Sequence, residues 1–391
     1  MTLEARLPFR QADALQSPPD LRRLQAQGPI HRVRTAVGDE AWLVTRYDDV
    51  RRLLDDDRLG RAHPAPETAA RTGESALFGG PLGDFATEHA DHSRMRSLLQ
   101  PHFSPRRMRA LRPRVEALAS GLLDGLAAHG SPADLHAEVA VPLPILVICE
   151  LLGVPYADRD RFRAWSEDAG NTRDRARSER GLGELYAYGL RLVAAKRAAP
   201  GDDVISRLCA DDDVTDDEGA ELSMGVLFAG HETTVVRIGL GAMLLLGNRT
   251  QWQALVDDPG LVPGAVEEIL RAPGSGDGGM PRYARTDLKL GGVTIRAGEL
   301  VLLDISAANH DPAAFADPER VDVTRAASAH VTFGHGARYC LGAPLARIEL
   351  DVVFTQLVRR FPNLRLAVDV GDVPLRHDTL TGGPAELPVQ W

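Results

Sequence analysis

Between Ser104 and Leu151 apolar residues return every three or four positions, through Leu111, Val115, Leu118, Leu122 and Leu126, which is the period of one helix face. The triplet Gly130, Ser131, Pro132 breaks the pattern and reads as a stop followed by a new helical start. A second helical stretch, Asp158 to Arg197, is densely charged on its outer face and closes at Ala199, Pro200, Gly201. Asp216 to Asn248 is the longest periodic segment and predicts one helix of about 30 residues, roughly 45 Å long, able to cross a whole domain. Elsewhere the pattern shortens. Ala41 to Thr45 predicts a strand, and Arg46 to Leu54 a helix opened by Asp48 and Asp49. Leu288 to Leu303 alternates around Gly291-Gly292 and Ala297-Gly298, which predicts a hairpin and a strand, and Leu364 to Trp391 predicts short strands. From Gly60 to Asp91 the chain is rich in Gly, Pro, Ala and Thr, a connection long enough to line or lid a pocket. Neither an internal repeat nor a low-complexity linker divides the sequence. The expectation is one domain over residues 1–391, mainly α with a small β-rich portion (α+β).

At 391 residues and 44% hydrophobic content the chain can bury a large core, which excludes a disulfide-stapled module and a disordered tail. A net charge of −10 argues against nucleic acid or anionic lipid as a non-specific partner. The apolar run Met224 to Leu246 carries His231, Glu232 and Arg237 at its centre, so it reads as a buried helix rather than a membrane anchor. Met1 to Leu21 mixes charges with prolines and lacks the apolar stretch of a signal peptide, so a cytoplasmic protein is expected. Cys149, Cys209 and Cys340 are odd in number, widely spaced and without a C-x-x-C pair. Cys149 and Cys209 read as core packing.

Cys340 stands apart. It lies in the glycine-rich segment Phe333-Gly334-His335-Gly336-Ala337-Arg338-Tyr339-Cys340-Leu341-Gly342, just before an apolar helical run with Pro344 in its first turn. Backbone N–H groups and the positive end of that helix favour a thiolate, and Gly336 and Gly342 leave room for a flat ligand. The spacing Phe333-x-x-Gly336-x-x-x-Cys340-x-Gly342 resembles the haem-ligand signature of the cytochromes P450, and the wider chain resembles the soluble bacterial members of that superfamily from end to end. The resemblance implies the P450 fold, with haem b between a long central helix and a proximal Cys-loop helix, and Cys340 as axial metal ligand.

The same resemblance assigns further residues. Ala229-Gly230-His231-Glu232-Thr233-Thr234 is similar to the family's oxygen-activation motif, which makes Glu232 and Thr233 the catalytic acid–alcohol pair. Splitting O₂ consumes protons, and a hydroxyl beside a carboxyl can pass them in from water. A mid-helix Thr can also bond back to a carbonyl and bend the helix. Glu268-x-x-Arg271, followed by Asn309-His310-Asp311-Pro312 and Arg325, matches the family's structural ion network. His92 and Arg96 share a helix face at i, i+4, and with Arg282 and Arg338 they correspond to the partners of the haem propionates. Arg338 stands where bacterial members often carry histidine. Phe228, Ala229, Thr233, Gly279, Met280 and Pro281 are pocket candidates, and the glycine run Gly274 to Gly279 departs from the bulkier residues expected before Arg282. Arg237 reads as a structural ion pair or a contact with an anionic group near the haem.

Two competing motifs fail on context. His231-Glu232 lacks the second histidine of a zinc protease, because the position four beyond His231 is Val235. The G-x-G-x-x-G of Gly274 to Gly279 follows a helix and Pro273, whereas a dinucleotide site follows a strand.

The function implied is a monooxygenase that oxidises a lipophilic small molecule in secondary metabolism, by hydroxylation or epoxidation. Desaturation, coupling or oxidative rearrangement is the alternative, and a haem-thiolate sensor or carrier the non-enzymatic one. The intact Glu232–Thr233 pair disfavours both a peroxide-driven enzyme and the sensor. With no flavin or ferredoxin module evident, electrons are expected from a separate ferredoxin and ferredoxin reductase, guided by a basic patch of Arg94, Arg106, Arg107, Arg109 and Arg347. A monomer is expected.

Overall fold

The computed structural model describes residues 5–11, 15–272, 279–326, 329–377 and 379–391. In chain order, β1 (Ala5–Arg6), α1 (Pro19–Gln27), β2 (Ile30–Arg34), β3 (Glu40–Val44), α2 (Tyr47–Leu54) and β4 (Leu59–Gly60) open the fold. They are followed by α3 (Glu88–Leu99), α4 (Pro105–His129), β5 (Ala133–Asp134), α5 (Pro142–Leu152), α6 (Arg159–Ala169), α7 (Arg175–Ala198) and α8 (Val204–Cys209). The long α9 (Asp216–Leu246), α10 (Arg249–Asp257) and α11 (Val262–Arg271) lead to β6 (Met280–Ala284), β7 (Leu288–Leu290), β8 (Val293–Ile295) and β9 (Leu300–Leu303). Finally come α12 (Ile305–Asn309), α13 (Ala343–Arg360), β10 (Arg365–Leu366) and β11 (Pro388–Gln390).

The α+β expectation is met. A six-stranded sheet runs β1-β2-β3-β9-β6-β4, with β7-β8 and β10-β11-β5 as smaller sheets. Antiparallel pairing of β6 with β9 sets Arg282 opposite Val301. The main apolar core joins α4, α5, α7, α9, α10, α11 and α13, while two smaller clusters pack on the sheet.

Helix α9 organises that core. Thr215 accepts from the Glu218 N–H at its start, and Asp216, Asp217 and Glu218 place negative charge on its positive end. Its last turns, Ile238 to Leu246, are buried on every side, the mark of a helix through the middle of a protein. It packs against α5, α7, α11 and α13.

One boundary differs from the expectation. The short strand β5 intervenes between Gly130 and the next helical segment, because Ala133 pairs with Val389 at the far end of the chain. Asp158 to Arg197 is two helices. The Asn171 carboxamide oxygen accepts from the N–H groups of Arg173 and Asp174, folding the chain back, and Asp174 then caps α7 by accepting from Arg177 N–H.

Candidate active site

Cys340 sits in a loop closed by its own backbone. Cys340 N–H donates to Phe333 O (2.8 Å), Gly334 N–H to Val331 O (2.9 Å) and Tyr339 N–H to Gly336 O (3.0 Å). Gly342 caps α13, and Pro344 occupies its first turn. Cys340 is exposed, whereas Cys149 and Cys209 are buried, with burial pushing the Cys149 thiol up to about 12. Although the residue keeps exposed surface, its sulfur lies close among protein atoms. Burial pushes the thiol up, while the Gly342 and Ala343 N–H groups, Arg96 and Arg347 pull it down. In the free thiol burial prevails, although the N–H donors and the two arginines pull toward the thiolate in the direction that the sequence suggested. A bound metal cation would deprotonate the sulfur outright.

Gly336 has a reason beyond the one that the sequence suggested. Its φ is +65°, and a Cβ there would overlap Asp55 Oδ1, the atom that accepts from Ala337 N–H. The turn and Asp55 already require glycine at this position. Gly342 has no such constraint: its Cβ would meet the Cys340 sulfur at 3.8 Å, an ordinary contact. Phe333 is half-buried, its ring 6.2 Å from that of Tyr339.

Along α9, Gly225, Ala229 and Thr233 are exposed at intervals of four, so one face of a core helix borders open space. Thr233 Oγ1 donates back to Ala229 O (2.9 Å). The Glu232 carboxylate does not meet that hydroxyl. It accepts from Thr381 Oγ1 (3.3 Å) and lies 3.8 Å from Arg376, which in turn is 3.6 Å from Glu167. Phe228 is half-buried, its ring reaching toward Gly170.

A group of cations forms the third part of the site. Arg282 is buried and pushed down to about 9 by burial and by the charges of Arg61 and Arg338. Among the described residues it donates to Pro281 O (2.8 Å) and to Met280 Sδ (3.0 Å). Arg338 and Arg285 each lie 3.2 Å from the Glu88 carboxylate. Among the described residues, buried Arg61 Nε has no hydrogen-bond partner. Burial and the charges of Arg338 and Arg96 hold His92 below the usual histidine range. Arg96, on the same face of α3, donates to Tyr339 O (2.6 Å). Two arginines therefore pair with Glu88, and Arg61 and Arg282 feel the charge of the same carboxylate. Such a cluster needs further negative charge, and a dianionic ligand with a flat body and a metal that takes sulfur answers both needs. The donor set fits a thiolate-ligated haem.

Comparison with known proteins agrees. A cytochrome P450 family profile matches residues 244–374. Pentalenolactone synthase of Streptomyces exfoliatus is 45% identical, covering 99% of each chain, and the mycinamicin IV hydroxylase/epoxidase of Micromonospora griseorubida is 42% identical, covering 98% of each. The substrate-free structure of the pimaricin epoxidase PimD, 42% identical, superposes with a TM-score of 0.90 over the whole of both chains. The chain belongs to the cytochrome P450 family. It is a bacterial P450 of the secondary-metabolism type, a haem-thiolate monooxygenase.

Around the P450 site, the structure joins Glu268, Arg271 and Arg325. Glu268 and Arg271 are buried and bidentate at 2.8 Å, with Arg325 3.2 Å from the same carboxylate. Gly279 has φ +96°, and a Cβ there would stand 3.0 Å from Leu303 O, so the tight approach to β9 asks for glycine. Met280 is half-buried and Pro281 buried beside it. Gly274 to Gly278 lie outside the described residues.

Arg237 departs from the ion-pair reading. It pairs with no carboxylate among the described residues and donates to Ile269 O (3.2 Å) and Ala272 O (3.1 Å), capping the C-terminal carbonyls of α11. The basic patch is smaller than expected, because Arg94 is paired with Glu218 and Arg347 with Glu267. Arg106, Arg107 and Arg109 remain exposed on the first turns of α4. Sequence reasoning missed Arg61, Glu88, Arg285, Thr381 and Arg376. Nothing local marks them, since each acquires its role from a partner distant in the chain. Among the described residues no helix is long and apolar enough to cross a membrane.

Proposed function

We propose that this P450 binds haem b through Cys340 and hydroxylates or epoxidises a lipophilic small molecule of the macrolide, polyketide or terpenoid kind, with electrons delivered by a separate ferredoxin. Cys340, exposed at the surface of its N–H-lined loop, is the observation that carries the reading. When bound, a thiolate-ligated haem supplies O₂ activation. The protein's own groups do the rest. Arg282 and Arg338, with His92, Arg96 and the unassigned Arg61, hold the propionates, and Phe333, Gly336 and Gly342 shape the ligand loop. Thr233 presents its hydroxyl on the open face of α9. Glu232, tied to Thr381 and next to Arg376, moves protons inward toward that hydroxyl from the Glu167 side. Substrate packs against Phe228, Ala229, Gly279, Met280 and Pro281, and one chain over residues 1–391 suffices as a monomeric haem domain. Arg106, Arg107 and Arg109 attract an acidic ferredoxin.

The names of the similar proteins support this substrate class: one is a hydroxylase/epoxidase of mycinamicin IV and one an epoxidase of pimaricin. The synthase name of the 45% identical relative favours a second outcome of the same chemistry, oxidative rearrangement or coupling. The reduced, CO-bound protein should show the red-shifted Soret band of thiolate ligation and Cys340→Ala should abolish it. A compound screen for substrate-induced spin shifts, followed by turnover with ferredoxin and reductase, should then give oxygenated product. A C340A variant that keeps pigment and turnover refutes the assignment.

A further inference from the structure

Behind the Cys340 loop, one carboxylate binds three segments together. Glu267, on α11 beside the Glu268 network, accepts from Arg347 Nε at Oε1 (2.7 Å) and from Arg347 Nη2 at Oε2 (3.0 Å), a two-pronged bond to α13. His330 Nε2 lies 3.0 Å from Glu267 Oε2, just before the loop begins. Held in this way, the Arg347 guanidinium sits 4.6 Å over the Phe333 ring, and its Nη1 donates to the Tyr339 hydroxyl (3.3 Å). Arg96 grips Tyr339 from its carbonyl side. Phe333 and Tyr339 are the residues that close the loop on Cys340, since Phe333 O takes the Cys340 N–H and Tyr339 precedes it. Burial works against ionisation of Glu267, yet His330 and Arg347 hold its carboxyl down at about 2, so the pair is fully charged at neutral pH.

We propose that Glu267 is a positioning residue which, by fixing Arg347 over Phe333 and on Tyr339, sets the electrostatic field at the Cys340 sulfur and thereby the electron density that sulfur offers a bound iron. The proposal rests on thiolate ligation by Cys340. Paired, Glu267 offsets part of the positive charge that Arg347 sets near the sulfur. Removing one partner leaves an unbalanced charge of known sign. Glu267→Gln leaves a cation, which favours the more negative ferrous complex; Arg347→Gln leaves an anion, which opposes it. A merely structural brace would loosen the loop in both variants and move both the same way.

The test is a mediator-based reductive titration of the haem-loaded protein for wild type, E267Q, R347Q and the double variant, with the carbonyl spectrum of each. The expected result is a change of about three- to tenfold in the ferrous/ferric ratio at a fixed potential, in opposite directions for the single variants. The double variant, which removes both charges, should return to within about twofold of wild type. Arg347→Lys, which keeps the charge on a partly exposed side chain, should shift less than R347Q and serves if E267Q does not fold. Shifts of the same sign, or below twofold in every variant, overturn the proposal. A wild-type carbonyl complex without the thiolate-type band overturns instead the ligation on which it rests.

Discussion

Truncating Glu268 tests the ion network that backs the haem-ligand side. The carboxylate is 3% exposed, accepts Nε and Nη2 of Arg271 at 2.8 Å each and the Asp322 N–H at 3.1 Å, and stands 3.2 Å from Arg325. Arg271 is itself 2% exposed; its other bonds reach Asn309 O (3.0 Å) and Pro318 O (2.9 Å), both neutral carbonyls. Glu268→Ala therefore strands a buried cation, which costs about 3–5 kcal/mol. Arg325→Ala removes bonds to the Ala316, Asp317 and Arg320 carbonyls but leaves the Glu268–Arg271 fork intact, so it should cost less, about 2 kcal/mol. Urea unfolding followed by fluorescence of the tryptophans, among them the buried Trp252 on α10, measures both. Because the two residues share one carboxylate, the double variant should cost less than the sum. An E268A protein within about 1 kcal/mol of wild type, or an R325A protein less stable than E268A, would refute the reasoning.

Other expectations follow from single groups. Burial pushes Asp304, the cap of α12, up to about 6 despite N–H bonds from Ala307 and Ser306. Its folded-state value is raised, so its contribution to stability is complete below about pH 4 and is lost as pH rises through 6, by ~3 kcal/mol at most. Asp304→Asn should gain on wild type in urea midpoint between pH 4.5 and 8, and a constant difference would count against it. Gly336→Ala forces a positive φ on a residue with a Cβ and displaces Asp55, for a loss of about 2–3 kcal/mol. Adding Asp55→Ala should recover only the clash, as thermal melts of the pair would show. Burial lowers Arg237 to about 10, a penalty of ~3 kcal/mol. Its two carbonyl bonds return a similar amount, so Arg237→Met should change unfolding free energy by less than about 1.5 kcal/mol; a larger loss would point to a partner beyond α11.

The sequence by itself determined what depends on short spacing. The central helix, the Cys340 loop and the Glu268-x-x-Arg271 pair were legible because helix period, glycine punctuation and i, i+3 proximity are local properties. Tertiary structure decided the partners. Arg282 and Arg338 become one charged group only when β6, α3 and the Cys loop bring Arg61, Glu88 and Arg285 beside them. Gly336 owes its identity to Asp55 from the first domain-length of chain, whose carboxylate bonds to Ala337 across 282 positions. Arg237 was read as needing a carboxylate, but folding offered it helix-end carbonyls instead, a choice that no window of residues around position 237 contains. Pattern fixes which face of an element is apolar; the energy of a buried charge depends on whatever the fold sets within a few ångströms of it.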